Sequence, residues 1–243
     1  MNIIICNDYN EVSERATQII SDGIKSNKNI KLGLATGSTP IGVYNNLAKL
    51  YKDGELDFSS VSTYNLDEYY PIKKNDEQSY AYFMNEKLFS HINIAPENIH
   101  IPNGEAKDPE KECIEYEKAL EAIGGVDIQI LGLGVNGHIG FNEPDCELLS
   151  KTHVTKLTES TINANSRFFE SIDDVPKAAI TMGIGSILSA KSILLLVTGE
   201  NKHNALTATL KGTFSTDVPA SILSLHKNVT VICDKEAYYG NAF

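Results

Sequence analysis

Short apolar runs rich in Val, Ile and Leu alternate along this chain with longer segments of helical period, and this alternation constrains the fold most strongly. The run Ile193–Val197 is apolar at every position, as expected for a central parallel strand that helices cover on both faces. No hairpin signal joins the successive strands. The sequence therefore predicts an α/β fold built on a doubly wound parallel sheet.

The predicted elements cover most of the chain. Strands are predicted at Ile3–Cys6, Ile30–Ala35, Val61–Leu66, Ile99–Ile101, Asp127–Leu131, Ser192–Val197 and Val229–Cys233. Helices are predicted after the capping box Asp8-Tyr9-Asn10-Glu11, after Pro40, over Gln78–Phe89 and from Pro109 behind the cap Asp108. No repeat or flexible linker divides this order, so we expect one domain over residues 1–243. Residues from 144 to about 174 have turn residues, little strand character and a predicted helix Thr161–Phe169, and we expect them to form a lid.

Charge and composition exclude several classes of protein. The 32 acidic and 21 basic residues give a net charge of −11, which repels nucleic acid and anionic membranes but allows an anion in a locally positive pocket. No apolar run approaches the roughly 20 residues that a membrane span needs. The four cysteines are widely spaced without a CxxC pair, which favours reduced thiols in a cytoplasmic protein. We therefore expect a small-molecule partner, no nucleic acid and no membrane, with the choice between monomer and homo-oligomer open.

Ligands of parallel α/β sheets bind beyond the carboxyl ends of the strands, so the residues after each predicted strand are the candidates for function. The first candidate is the turn Thr36-Gly37-Ser38-Thr39-Pro40. Its glycine, hydroxyls and free N–H groups suit a phosphate at the start of a helix. The alternative is an ordinary capped helix, with Ser38 or Thr39 as N-cap and Pro40 at the first helical position. Both interpretations are compatible with each other.

The second candidate is the pair Asp67-Glu68, which follows the strand Val61–Leu66. Neighbouring side chains in an extended segment point to opposite faces, so at most one carboxylate faces the cleft. A partly buried carboxylate there can act as a base toward a carbon-bound proton. A helix cap or a surface acid is the simpler explanation of either residue.

The third candidate is the glycine-rich segment 132–143, which contains His138 and Glu143. It matches GxGxxG formally, but a further Gly and a Pro follow, and these do not suit the long helix of a dinucleotide site. The glycines instead let the histidine approach a ligand, with Glu143 as an orienting carboxylate. The spacing lacks a recognised set of metal ligands, so a metal site is disfavoured.

The fourth candidate is Lys202, in the turn that follows the strand Ser192–Val197. A lysine at the start of a helix is mildly unfavourable unless it meets an anion. Arg167, in the predicted lid helix, is a second candidate cation. A solvated surface charge is the simpler explanation of each.

Several blocks of this sequence resemble the glucosamine-6-phosphate deaminase family. They are LATGSTPIGVY, NLDEYY, LGLGVNGHIGFNEP, ANSRFF and VTGENKHNAL with the later VPASIL, in the family's order and over about Leu32 to Asp234. The resemblance implies a Rossmann-like doubly wound sheet with a lid. It also implies reversible isomerisation and deamination of glucosamine 6-phosphate to fructose 6-phosphate and ammonia, in amino-sugar catabolism and without a cofactor or metal.

The resemblance also implies roles for individual residues. Asp67 is implied to move the proton between C2 and C1, and His138 to open the sugar ring, with Glu143 and Asn136 orienting it. The implied phosphate-binding residues are Thr36, Gly37, Ser38, Thr39, Arg167 and Lys202. Many members of the family have Asp at the position of Asn136. An amide there can hold a ring nitrogen by hydrogen bonding but adds no charge.

Two alternatives to the deaminase remain open at this point. One is a 6-phosphogluconolactonase or another sugar-phosphate isomerase of the same fold, which keeps the phosphate turn and the histidine. The other is a sugar-phosphate sensor without catalysis, which the intact set of Asp67, His138 and Glu143 disfavours. The sequence leaves allosteric activation by N-acetylglucosamine 6-phosphate open.

Overall fold

The computed structural model describes residues 1–158, 162, 171 and 175–240. Its strands are β1 (Asn2–Cys6), β2 (Lys31–Leu34), β3 (Ser62–Asn65), β4 (Asp67–Tyr70), β5 (Ile99–His100), β6 (Ile128–Gly132), β7 (His153–Lys156), β8 (Ala178–Thr181), β9 (Ser192–Val197) and β10 (Val229–Asp234). Its helices are α1 (Tyr9–Ser26), α2 (Ile41–Lys52), α3 (Tyr80–Lys87), α4 (Pro109–Ala122), α5 (Ile184–Leu188), α6 (His203–Leu210) and α7 (Lys235–Tyr239). Short 3-10 turns lie at Phe89–His91, Pro96–Asn98, Glu200–Lys202 and Pro219–Leu225.

Seven strands form one parallel sheet in the order β1, β10, β9, β6, β2, β3, β5. The chain runs outward from β2 to β3 and β5, and then returns to place β6 on the other side of β2. This reversal makes the sheet doubly wound. The predicted parallel α/β sheet is confirmed.

The strands bury side chains on both faces of the sheet. In β9, Ile193 and Leu195 pack into one apolar core, whereas Leu194 and Leu196 pack into the other. The core of Leu194 and Leu196 includes buried side chains of α1 and α2, and the core of Ile193 and Leu195 includes those of α4, α5 and α6. Strands covered on both sides have no polar face, which explains why the run Ile193–Val197 lacks alternation.

Side-chain caps start two of the predicted helices. Asp8 accepts from the N–H groups of Asn10 and Glu11 at the start of α1, and Asp108 accepts from that of Lys111 in α4. In a capping box the Glu11 carboxylate would accept from the N–H of the cap, Asp8. Here it accepts instead from the Asn7 N–H, one residue before the cap. Each cap satisfies backbone N–H groups that the helix leaves without an internal acceptor.

A second, antiparallel sheet of three strands was not predicted. It has the order β4, β8, β7, and Asp67 pairs with Thr181 in its register. The expectation of little strand character in the lid segment was therefore wrong for β7. Each of these strands has only four residues, which is too short for a reliable apolar pattern. The predicted helix Thr161–Phe169 lies outside the described residues, apart from Ile162.

Candidate active site

Four neighbouring strands of the parallel sheet end at the segments singled out by the sequence. In the order β9, β6, β2, β3, they lead to the turn before Lys202, the loop of His138, the turn Thr36–Thr39 and the strand that begins with Asp67. Because these strands are parallel, their carboxyl ends lie at one edge of the sheet. The winding of the sheet reverses between β2 and β6, in the middle of this group. The topology therefore gathers the candidates around one crevice.

Glycines shape the loop that carries His138. A Cβ on Gly134 would lie 2.5 Å from the His138 ring, so glycine is needed to leave the ring its space. Gly137 has a φ of +86°, which favours glycine, and its carbonyl accepts from the Ala220 N–H at 2.8 Å. The Gly134 N–H donates to the His138 carbonyl at 2.9 Å. The loop thus packs one face of the ring and leaves 27% of the side chain exposed.

A carboxylate and an amide lie beside the histidine. Glu143 Oε1 is 3.2 Å from His138 Nδ1, although the two atoms form no hydrogen bond in this structure. Asn136 Nδ2 donates to the other Glu143 oxygen at 2.6 Å, and Asn136 Oδ1 accepts from the His138 backbone N–H at 3.3 Å. The Asn136 amide thus forms no hydrogen bond with a ring nitrogen of His138 in this structure. Asn136 instead holds the carboxylate that faces the ring, because its two polar atoms are occupied by that carboxylate and by the main chain.

Asp67 is buried at the start of β4 and faces the histidine loop. The residue is 6% exposed. A Cβ on Gly140, two residues after His138, would lie 3.5 Å from Asp67 Oδ2. Burial and the neighbouring Glu68 raise the pKa of Asp67 to about 8, and no hydrogen bond from the described residues offsets this rise. A carboxyl group in this environment is a stronger base than an ordinary aspartate once it is ionised.

The Glu68 carboxylate accepts hydrogen bonds from the start of the helix α3. Its Oε1 accepts from the backbone N–H groups of Tyr69 at 2.9 Å and Tyr80 at 2.8 Å, and its Oε2 accepts from that of Ala81 at 2.8 Å. Burial raises the pKa of Glu68 to about 7, although the three hydrogen bonds act against the rise. The two carboxylates thus have different surroundings, as the alternation along a strand requires.

The turn after β2 leaves backbone N–H groups available at the crevice. Gly37 has a φ of +89°, and nothing lies within 4 Å of a Cβ built there. The alternative of a helix capped by Ser38 or Thr39 was wrong, because α2 begins at Ile41 and neither side chain caps it. The Tyr9 hydroxyl donates to the Ser38 carbonyl at 3.1 Å and so holds the turn from behind. The Gly42 N–H in the first turn of α2 donates to the Tyr9 hydroxyl at 2.8 Å, whereas the N–H groups of Gly37, Ser38 and Thr39 have no acceptor among the described residues and can meet an anion.

Lys202 follows β9 through a tight turn and precedes α6. Burial lowers the pKa of Lys202, and no carboxylate of a described residue forms an ion pair with it. Gly199, with a φ of +91°, starts the turn, and its N–H donates to both oxygens of Asp234 at 3.1 and 2.9 Å. A partly buried ammonium group without a protein carboxylate is suited to an anionic ligand. Arg167 lies outside the described residues.

Three further side chains of this region were missed by the sequence analysis. Asp234 fixes the Gly199 turn and also caps α7 through the Ala237 N–H at 2.7 Å. Thr181 Oγ1 accepts from the Phe141 N–H at 3.2 Å and so joins β8 to the histidine loop. Tyr80 packs against Phe141 and Tyr69. Only Asp234 had a sequence signal, since an aspartate directly after a strand is a typical helix cap.

Other kinds of site have no support in the described part of the chain. No group of three or more His, Cys, Asp or Glu side chains there is arranged to hold a metal ion. The four cysteines are free. No helix of the described residues combines the length and apolar character that crossing a membrane requires.

Comparison with known proteins assigns the chain to a family. The fold and the site define an α/β protein with acid–base side chains and, in the turn Thr36–Thr39, backbone N–H groups suited to an anion at the same edge of the sheet. A family model described as glucosamine-6-phosphate isomerases/6-phosphogluconolactonase matches residues 9–232. The chain belongs to this family.

Relatives of high similarity cover almost the whole chain. Proteins named glucosamine-6-phosphate deaminase from Thermoanaerobacter sp. (strain X514) and Clostridioides difficile (strain 630) are 56% and 54% identical to it. The matches cover 98% of this chain and 94% and 95% of those relatives.

Solved structures of other proteins have the same fold as this chain. A structure described as a monomeric glucosamine-6-phosphate deaminase has a TM-score of 0.95 at 48% identity, over 98% of each chain. A 6-phosphogluconolactonase from Trypanosoma cruzi has a TM-score of 0.79 at 20% identity, over 100% of this chain and 97% of that one. The second likeness concerns the fold alone.

Proposed function

We propose that this protein is an enzyme that converts glucosamine 6-phosphate and water to fructose 6-phosphate and ammonia. The observation that carries the proposal is the position of Asp67, whose carboxylate faces the loop of His138 at the crevice of the sheet. Relatives named for this activity support it, since they are 54–56% identical along nearly the full chain. The lactonase alternative has weaker support, because the solved lactonase from Trypanosoma cruzi is 20% identical.

The phosphate of the substrate binds between the segments that follow β2 and β9, which lie on either side of β6 in the sheet. The N–H groups of the turn Thr36–Thr39 and the ammonium of Lys202 are its ligands, and Arg167, which the resemblance to the family implies for phosphate binding, supplies a second cation. These contacts offset the protein's net charge of −11 locally. Binding at this non-reacting end fixes the orientation of the sugar, which contributes to the rate when the reacting atoms are aligned.

His138 opens the pyranose ring by taking the proton of O1 and returning one to O5. An imidazole can accept and donate within the same cycle. Glu143 stabilises the imidazolium form, since its carboxylate lies 3.2 Å from Nδ1. Asn136 keeps that carboxylate in place through its 2.6 Å hydrogen bond.

Asp67 then moves a proton from C2 to C1 of the open-chain sugar, while the C2 amine loses a proton and O1 gains one, so that C2 becomes an imine and C1 carries a hydroxyl. The carboxylate must be ionised to take the C2 proton, and its raised pKa makes it a stronger base when it is ionised. The resulting imine at C2 adds water and releases ammonia, which leaves the ketose. These steps are proton transfers and hydrolysis, so the chemistry calls for neither a metal nor an organic cofactor.

The direct test incubates the pure protein with glucosamine 6-phosphate and measures ammonia and fructose 6-phosphate. Both products should appear in equal amounts. Asp67→Asn should lower kcat by about 10²–10⁴-fold, the usual contribution of a general base, with little change in substrate binding. Asp53→Asn is the matched control, because Asp53 is exposed at the far end of α2. No ammonia from the native chain, together with hydrolysis of 6-phosphogluconolactone, would instead favour the lactonase.

We further infer a cytoplasmic monomer. The four free cysteines suit a reducing compartment, and the solved structure with a TM-score of 0.95 is described as monomeric. Light scattering on the purified protein should give the mass of one chain. A mass that is a multiple of this value would contradict the monomer.

A further inference from the structure

The end of strand β8 contacts both sides of the crevice. Thr181 pairs with Asp67 in the register of β4 and β8, and the N–H of the next residue, Met182, donates to the Leu66 carbonyl at 2.8 Å. Thr181 Oγ1 also accepts from the Phe141 N–H, in the histidine loop, at 3.2 Å. Residues 181 and 182 therefore join the strand of Asp67 to the histidine loop.

A buried amide adds to this connection. Asn142 Nδ2 donates to the Met182 carbonyl and to the Ile139 carbonyl, both at 2.9 Å. The bond to Ile139 closes the turn within the loop, and the bond to Met182 fixes that turn on the end of β8. Asn142 is 4% exposed, and Thr181 is fully buried. Breaking such a hydrogen bond is costly, because it leaves a buried polar group without a partner.

Gly140 lies where the two sides meet. A Cβ built on it would be 3.0 Å from Thr181 Oγ1, 3.5 Å from Asp67 Oδ2 and 3.6 Å from Asn142 Nδ2. The hydroxyl and the amide that hold the loop thus surround the same point as the Asp67 carboxyl. His138 precedes Gly140 by two residues in this loop. A shift of the loop away from β8 would therefore change the distance between Asp67 and His138.

The segments proposed to bind phosphate have other supports. The turn Thr36–Thr39 is held by Tyr9, and the turn before Lys202 is held by Asp234. Within the described part of the chain, neither the Thr181 hydroxyl nor the amide at position 142 forms a hydrogen bond with these turns. The contacts at the end of β8 therefore act on the reacting end of the sugar and not on its phosphate.

We propose that Thr181 and Asn142 are positioning residues, which set the distance between the Asp67 carboxyl and the His138 ring. The inference rests on the proposed function in that it takes Asp67 as the base and His138 as the group that opens the ring. Thr181 and Asn142 transfer no proton themselves. The attachment of the loop to β8 by a hydroxyl and an amide is measurable in the protein without substrate.

Hydrogen exchange of the Phe141 amide, followed by NMR in the substrate-free protein, tests the attachment. Thr181→Val keeps the size of the side chain but removes the acceptor of this N–H, so the amide should exchange about tenfold faster through local opening. Thr181→Ser keeps the hydroxyl and should exchange near the native rate. Thr17→Val is the matched control, because it removes a buried hydroxyl that bonds the Ser13 carbonyl within α1, and it should leave the rate unchanged. An unchanged rate in Thr181→Val would overturn the attachment.

Kinetics test the positioning. In Thr181→Val, kcat for glucosamine 6-phosphate should fall by about 10–100-fold through misalignment, and KM should change less than about twofold because the phosphate contacts are intact. Thr181→Ser should restore kcat, and Thr17→Val should leave it unchanged. Asn142→Ala removes both bonds of Nδ2, so it should give the same result, and it carries the test if Thr181→Val does not fold.

Two kinetic outcomes would overturn the positioning. One is a rise in KM at constant kcat in Thr181→Val, and the other is the same kcat in Thr181→Val and Thr17→Val. Absence of turnover in the native protein would instead refute the proposed function and leave the exchange result standing.

Discussion

Single residues decide the acid–base behaviour of this site, and Asp67 is the most informative of them. Its pKa is raised to about 8 by burial and by Glu68. In the free protein the ionised form therefore increases as the pH rises toward 8. We expect kcat/KM to rise with pH over this range and to level off above it. A profile that is flat between pH 6 and pH 8 would contradict Asp67 as the base.

The same shift predicts the pH dependence of stability. The folded state keeps the Asp67 proton to about pH 8, whereas the unfolded chain loses it near 3.8, so the folded state binds more protons between these values. Stability should therefore fall as the pH rises through this window. Asp67→Asn, which is neutral at every pH, should melt about 3 °C or more above the native protein at pH 8.5, with a smaller difference at pH 4. Equal differences at both pH values would contradict the raised pKa of the buried Asp67 carboxyl.

The sequence indicated which residues are candidates for the site, but it did not indicate which groups their side chains contact. His138 and Asp67 could be singled out because chemistry at strand ends limits the choice. The partner of Asn136 could not be predicted, because an amide among several acceptors is placed by side-chain packing. Tyr80 gave no signal either, since a tyrosine at the start of a helix is also an ordinary core residue.

At the level of elements, the loop after β6 provides a matched pair of glycines. A Cβ on Gly134 would meet the His138 ring at 2.5 Å, whereas a Cβ on Gly132 meets nothing within 4 Å. Neither glycine has a positive φ, so both substitutions leave the backbone allowed. Gly134→Ala should lower kcat/KM by about 10–100-fold by displacing the ring, and Gly132→Ala should change it less than about twofold. Equal effects of the two changes in steady-state kinetics would contradict this role of the loop.

The turn before α6 is held by a neighbouring strand. The Asp234 carboxylate accepts twice from the Gly199 N–H and once from the Ala237 N–H. Asp234→Asn leaves one acceptor oxygen, so the turn should loosen and Lys202 should be placed less well. We expect KM to rise about tenfold with kcat little changed, as for a loss of uniform binding. A fall in kcat at constant KM would contradict the assignment.

Long elements were predictable and short ones were not. Strands such as β9 have continuous apolar runs, and α4 has both a capping aspartate and a proline at its start. By contrast, β4, β7 and β8 are four residues each, and β4 pairs with β8 across more than a hundred positions of sequence. Their pairing depends on tertiary contacts such as that between Thr181 and Phe141, which no local pattern reveals.

At the scale of the whole molecule, the order of the strands creates the site. The segments after β9, β6, β2 and β3 are far apart along the chain, and the sheet places them side by side. The parallel class followed from the apolar runs, but the strand order did not, because many orders satisfy the same pattern. Only the structure shows that the four candidate segments follow four adjacent strands.

The crystal structure of Asp67→Asn with glucosamine 6-phosphate bound is the most direct test of the central claim. We predict the phosphate on the turn Thr36–Thr39 and Lys202, with C2 facing residue 67 and the ring oxygen facing His138. A sugar bound with its phosphate elsewhere, or with residue 67 and His138 contacting no common ligand, would contradict the account.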